Sequence, residues 1–266
     1  MNLRDLTRQI KELGYDDEYA AARVCQDIVL KSIAKSALSG NVTIKGGVVM
    51  RSITGNVRRA TQDMDIDFIR YSLSDDAIDA FIHEINCIDG ISVKRIGKIV
   101  ELNQQDYHGK RVLINISDDS GNSIESKIDL GVHNRLEITQ EEYCFDIAFD
   151  DEGASLLINS KEQMVAEKLR SLLKFGRFST RFKDIFDIYY HCDKMNAEAF
   201  LACMNSLVFI DSHMRENNMD DVYRRVLGIF RDEAYKNTVD KSDKRWLDDD
   251  IEVIFDRIIE FIASVK

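Results

Sequence analysis

Apolar residues near helical spacing at Ala20, Val24, Ile28, Ile33 and Ala37 predict a helix over 17–39. Residues 42–44 read as a short strand running into Gly46-Gly47, and 48–53 as the first turns of a helix. The pattern then predicts a strand over 64–69 and a helix over 75–85. Three β-rich runs follow at 91–102, 111–116 and 124–132, the last two joined by the turn sequence DDSGN at 118–122. One more strand is expected at 144–149. After Gly153 the period changes: Ser160-Lys161-Glu162-Gln163 has the form of a capping box, with Met164, Val165, Leu169, Leu172 and Leu173 as an apolar stripe behind it. Helical patterns continue at about 183–192, 196–213, 218–236 and 248–264. The reading is an α+β protein, with a mixed-sheet half over 1–155 and an all-helical half over 156–266.

Composition narrows the class. With 266 residues, 44% apolar and 31% charged, the chain has the make-up of an ordinary globular protein that can bury a sizeable core. No apolar run is long enough to span a bilayer, and the opening MNLRDLTRQIKELG lacks the apolar segment of a leader, so no membrane association is expected. Five widely spaced cysteines without a CxxC pair argue against disulfides or structural zinc and for a reducing cytoplasm. A net charge of −11 counts against a general affinity for nucleic acid. The stretch 168–181, however, carries Lys168, Arg170, Lys174, Arg177 and Arg181 with no acid among them, either a landing surface for a polyanion or a solvated helix face.

The candidate chemistry sits in Asp63-Met64-Asp65-Ile66-Asp67-Phe68. Strand alternation puts three carboxylates on one face and Met64, Ile66 and Phe68 on the other. Such a cluster repels itself unless a cation compensates, and magnesium takes oxygen ligands that it shares with substrate phosphates. A calcium loop fails, because Phe68 stands where glycine is required and Ser74 where a bidentate glutamate is required. Asp129, flanked by Ile128 and Leu130, is a candidate third acid from another strand. Gly46 and Gly47, between a strand and a helix start, suit backbone approach to a phosphate. Arg51, Arg59 and Thr61 are further candidates for the phosphates or for orienting the acids. In the helical half, Asp184, Asp187 and His191 share one face, with Lys168, Arg181 and Lys183 nearby. These residues form either a nucleotide-binding group or an interhelical salt-bridge network, two roles that are compatible. Asp248-Asp249-Asp250 reads as a helix N-terminal cluster, His83, His108, His133 and His213 lack ligand spacing, and Trp246 suggests no base stacking.

Lys45-Gly-Gly-Val-Val-Met-Arg51 followed by Arg59-Ala-Thr-Gln-Asp-Met-Asp65 resembles the KGG…R and RxTxDxD signature of the AbiEii/AbiGii-type nucleotidyltransferase toxins. Lys127-Ile-Asp-Leu130 looks like that family's third-acid strand. Ala166-Glu-Lys-Leu169, with Thr180-Arg-Phe-Lys-Asp-Ile-Phe-Asp187, is similar to its AEKL…TRxKDxxD helical motif. The motifs span about 40–192, and the last seventy or so residues match none. The resemblance implies a polymerase-β-like nucleotidyltransferase domain, a helical C-terminal domain, Mg2+, and an NTP from which an NMP passes to an acceptor hydroxyl with release of pyrophosphate. It aligns Asp63 and Asp65 with the DxD positions, leaves Asp67 as an addition and a further candidate metal ligand, and gives Gly46-Gly47 where the wider superfamily has Gly-Ser. It further implies RNA, in particular a tRNA end, as acceptor, and a cognate antitoxin in a toxin–antitoxin or phage-defence (abortive infection) setting. A small-molecule acceptor such as an antibiotic, or a catalytically silent nucleotide- or partner-binding module, are the alternative readings.

Overall fold

The alternating segment becomes the middle strand of a seven-stranded sheet. The computed structural model describes residues 1–104 and 107–266, with backbone alone at 103, 104, 107 and 108, so the side chain of His108 lies outside the described residues. Contacts divide the chain into two units, Met1–Asn159 and Ser160–Lys266.

The first unit holds helices α1 (Leu3–Glu12), α2 (Asp17–Lys35), α3 (Gly46–Thr54) and α4 (Asp75–Glu84). Its strands are β1 (Val42–Lys45), β2 (Met64–Phe68), β3 (Ile91–Gln104), β4 (Tyr107–Asp118), β5 (Ser123–Val132), β6 (Glu141–Ile147) and β7 (Asp150–Ile158). Their order is β3-β4-β5-β2-β1-β7-β6. The sheet is mixed: β2 runs antiparallel to β1 and parallel to β5, and β1 is parallel to β7. One face is apolar. Val42, Ile44, Met64, Ile66, Phe68, Ile128 and Leu130 are buried there, with α2 packed on β5 and β7 and α4 on β3. Phe68 meets Phe81 of α4 edge-on at 5.3 Å. Each such side chain contributes roughly 1.5–3 kcal/mol by leaving water, so this face fixes the register that puts the acids on the other.

The second unit is helical: α5 (Lys161–Phe175), α6 (Phe182–His191), α7 (Ala197–Met204), α8 (Met219–Phe230), α9 (Glu233–Asp240) and α10 (Ile251–Ser264). Ser160 caps α5 by accepting from the Gln163 N–H at 3.1 Å, and the Gln163 side-chain amide donates to Glu167 Oε1 at 2.9 Å. Leu169, Leu172, Ile185, Ile188, Phe200, Val226, Ile254 and Ile258 make its core.

Several elements depart from the sequence pattern. α1 is a capped helix and β7 a full strand running through the expected division at 155/156. The acids Asp150, Asp151 and Glu152 interrupt the apolar alternation of β7 and mask it. The run 218–236 breaks at Asp232, whose carboxylate caps α9 by accepting from the Tyr235 N–H. The helix expected over 17–39 stops at Lys35, where Ser36 donates to the Ile33 carbonyl. The run 196–213 ends at Met204 in a π-turn over Asn205–Phe209.

Candidate active site

The sheet register builds a charged row across four strands. Lys45 of β1 stands opposite Asp65 of β2, Asp65 opposite Asp129 of β5, and Asp129 opposite Arg111 of β4. Two carboxylates therefore sit side by side on adjacent parallel strands, bracketed by two cations. Arg111 holds Asp129 in a two-pronged clamp, Nε to Oδ1 at 2.6 Å and Nη2 to Oδ2 at 2.7 Å. The Lys45 ammonium leans one step along β2 and donates to Asp67 Oδ2 at 2.7 Å. Asp67 is buried, so it serves as the counter-ion of Lys45. Lys127 Nζ lies 2.7 Å from Asp63 Oδ1, a close ion contact without hydrogen-bond geometry.

The glycine pair is demanded by what packs against it. Gly46 has φ +63°, and a Cβ there would overlap Asp65 Oδ2. A Cβ on Gly47 would come within 2.6–2.8 Å of the Thr61 side chain. The turn thus presses the α3 N-terminus directly on the central carboxylate. No side chain caps that N-terminus, whereas Asn2, Asp16 and Ser74 cap α1, α2 and α4. Thr61 is held from behind, its carbonyl accepting from Gln26 Nε2 at 2.9 Å. Arg51 and Arg59 are buried rather than displayed on the surface. The Arg51 guanidinium makes no hydrogen bond, and its nearest acid is Asp27 Oδ1 at 3.9 Å. Burial pushes Asp27 up to about 6 against the pull of Arg23, which donates to it at 2.7 Å.

Whether these acids suit a divalent cation can be judged from their charge balance. Burial pushes the Asp65 carboxyl up to about 6; Lys45 opposes this, while Asp129, Asp63 and Asp67 add to it. An all-oxygen set short of positive charge at its centre fits a hard cation. Among the described residues, no three His, Cys, Asp or Glu side chains already enclose a metal-sized gap. Arg111 and Lys127 instead contact two of the three candidate ligands, Asp129 and Asp63.

In the second unit the expected polar face is an ion network. Lys168 Nζ reaches Asp184 Oδ1 at 3.1 Å and Asp187 Oδ2 at 2.9 Å. Asp187 is fully buried and also accepts from Trp246 Nε1 at 3.1 Å. His191 is buried beside them, and burial pushes it down to about 4 even though Asp187 works the other way. Arg181 precedes α6 as its exposed cap, and Lys183 lies in its first turn. The basic run is partly neutralised internally, Arg170 by Asp211 at 2.6 Å and Arg177 by Asp232 at 3.3 Å.

Sequence reasoning passed over Lys45, Arg111 and Lys127 as site residues, and discounted Trp246. Two signals are readable: Lys45 opens the KGG motif, and Lys127, two residues before Asp129, shares its face of β5. Arg111 becomes visible only through the β4–β5 register.

A family model for the nucleotidyl transferase AbiEii toxin of type IV toxin–antitoxin systems matches residues 28–257. A search of curated proteins found no match. No helix among the described residues is long and apolar enough to cross a membrane. The family match takes in the charged row, the glycine turn and the Lys168–Asp187–Trp246 network. The protein therefore belongs to the AbiEii nucleotidyl transferase toxin family, whose type IV toxin–antitoxin setting implies an antitoxin partner.

Proposed function

We propose that the protein is a polymerase-β-like, Mg2+-dependent enzyme that moves an NMP from an NTP to a hydroxyl of RNA, in particular a tRNA end, in the cytoplasm. The observation that carries this reading is the in-register row Lys45–Asp65–Asp129–Arg111 with the Gly46–Gly47 turn packed on Asp65. Asp63, Asp65 and Asp129 would hold the metal, which supplies charge compensation for the triphosphate and the developing oxyanion.

The protein's own residues divide the remaining work. The uncapped α3 N-terminus offers backbone N–H groups to phosphate oxygens. Arg51, further along α3 and buried beside Asp27 at 3.9 Å, is a second cation for the phosphates. Thr61 packs on Gly47 and backs the turn, and Arg59, buried just before it, is a further cation for the phosphates. The acceptor hydroxyl gives up its proton toward Asp129 as its oxygen bonds to the α-phosphorus. The bond from that phosphorus to the bridging oxygen breaks, and pyrophosphate leaves with the electron pair. Asp67 keeps Lys45 in place. Within the second unit Asp184 and Asp187 hold and orient the Lys168 ammonium, with Arg181 and Lys183 at the start of α6, a cationic group of the kind that binds phosphate.

The reaction type is tested by offering the protein, Mg2+ and total RNA either α- or γ-labelled NTP. Label on RNA from the α position alone is expected; label from the γ position would replace nucleotidyl by phosphoryl transfer. Label appearing only on small molecules would reject RNA as the acceptor.

A further inference from the structure

The end of α5 carries a surface feature with no part in the chemistry above. Phe175 is 49% and Phe178 76% exposed, the latter more than any other large apolar side chain among the described residues. Each ring is attended by a cation: Lys174 Nζ lies 5.7 Å from the Phe175 centroid and Arg177 Cζ 5.1 Å from that of Phe178. Between them Gly176 takes φ +56°, and a Cβ there would meet Arg225 Nη2 at 2.8 Å, so the guanidinium of α8 lies across the bare backbone. Phe175, Arg177, Phe178, Arg224, Arg225 and Ile229 line a concavity of about 360 Å³.

Two open aromatic faces amid arginines are poor material for a solvent surface and good material for unpaired bases. Stacking on such rings accepts any base, while guanidinium groups take the backbone phosphates. The lining carries three arginines and one acid, Asp232, in a chain whose net charge is −11. The pairs Arg177–Asp232 and Arg224–Asp221 are solvent-exposed contacts, which cost little to exchange for phosphates. We propose that this corner of the second unit, Phe175 and Phe178 with Arg177, Arg224 and Arg225, is a docking platform for single-stranded RNA. The proposal rests on the reading of RNA as acceptor and adds where the strand is held.

The test is fluorescence anisotropy of a short fluorescein-labelled single-stranded RNA of mixed sequence, with the full chain, in EDTA and without NTP. Phe175→Ala and Phe178→Ala, at exposed sites that leave the core intact, each weaken binding by roughly tenfold or more, and Phe178→Trp restores it. Arg225→Ala lowers the slope of log affinity against log salt by about 0.7. Binding of the double phenylalanine variant equal to wild type overturns the platform. So does absence of binding by the wild type, which would give the face to a protein partner. RNA labelling from α-labelled NTP is measured separately. If wild type labels no RNA yet binding depends on Phe178, the platform stands and the acceptor reading falls. If RNA is labelled while the variants bind unchanged, the platform falls alone.

Discussion

Arg111→Ala should tighten divalent-metal binding while destabilising the metal-free protein. Arg111 engages both oxygens of Asp129 at 2.6 and 2.7 Å, so a cation drawn to that carboxylate is repelled by the guanidinium and competes with it for the charge. Two unit charges about 4 Å apart attract by about 4 kcal/mol at an effective dielectric of about 20. The Arg111 side chain is 36% exposed and that of Asp129 15%, so solvent screens part of this, leaving about 1–3 kcal/mol. At about 1.4 kcal/mol per tenfold, Mn2+ affinity measured by calorimetry rises roughly 5- to 150-fold. Without metal, the bare carboxylate beside Asp65 lowers stability by a similar amount, about 1–3 kcal/mol. The melting temperature thus falls in EDTA and recovers more steeply with Mn2+ than wild type does. Arg111→Lys, which keeps the charge and loses the two-pronged geometry, falls between. Unchanged or weaker Mn2+ affinity in Arg111→Ala would refute the idea that this arginine stands in for the metal.

Three further predictions concern single contacts. Gly46→Ala and Gly55→Ala share a backbone φ of +63° and its strain of about 1–2 kcal/mol. Only residue 46 faces Asp65, so label transfer should vanish in Gly46→Ala and persist in Gly55→Ala, and equal activities would remove the glycine turn from the site. Trp246→Phe removes a buried donor to Asp187 and should cost about 1.5–3 kcal/mol in urea unfolding, whereas a loss within about 0.5 kcal/mol would show the bond to be incidental. His191, buried and held down to about 4, takes up its proton more readily unfolded than folded. Its contribution to stability is therefore complete above about pH 6.5 and is lost as pH falls toward 4. Since Asp27 and Asp65, both raised to about 6, act in the opposite sense, the measure is the difference between wild type and His191→Phe. That difference must shrink on acidification.

The chain displayed its local rules openly and its cross-strand ones hardly at all. Acid–apolar alternation over 63–68 gave both the strand and the face of its carboxylates, because a period of two is a property of the segment itself. The close packing of Gly46 on Asp65 joins residues nineteen positions apart, so only a suspicion of a tight turn was readable there. Arg111 and Asp129 meet through an antiparallel register that neither strand encodes alone. The face of Asp184 and Asp187 followed from helical spacing, but their donor Trp246 lies beyond the matched motifs and carried no local signal. β7 was hidden by three consecutive acids at its start, which its pairing with β6 and β1 outweighs.

The paired carboxylates of β2 and β5 are the centre of the proposed chemistry. The direct measurement is label transfer from α-labelled NTP to RNA in Mg2+, comparing wild type with Asp65→Asn and Asp129→Asn, each shown to be folded by its melting curve. Wild type should transfer label and both variants should lose at least about a hundredfold, the scale on which removing one electrostatic catalytic group is felt. Transfer that survives either substitution at the wild-type rate would contradict that chemistry.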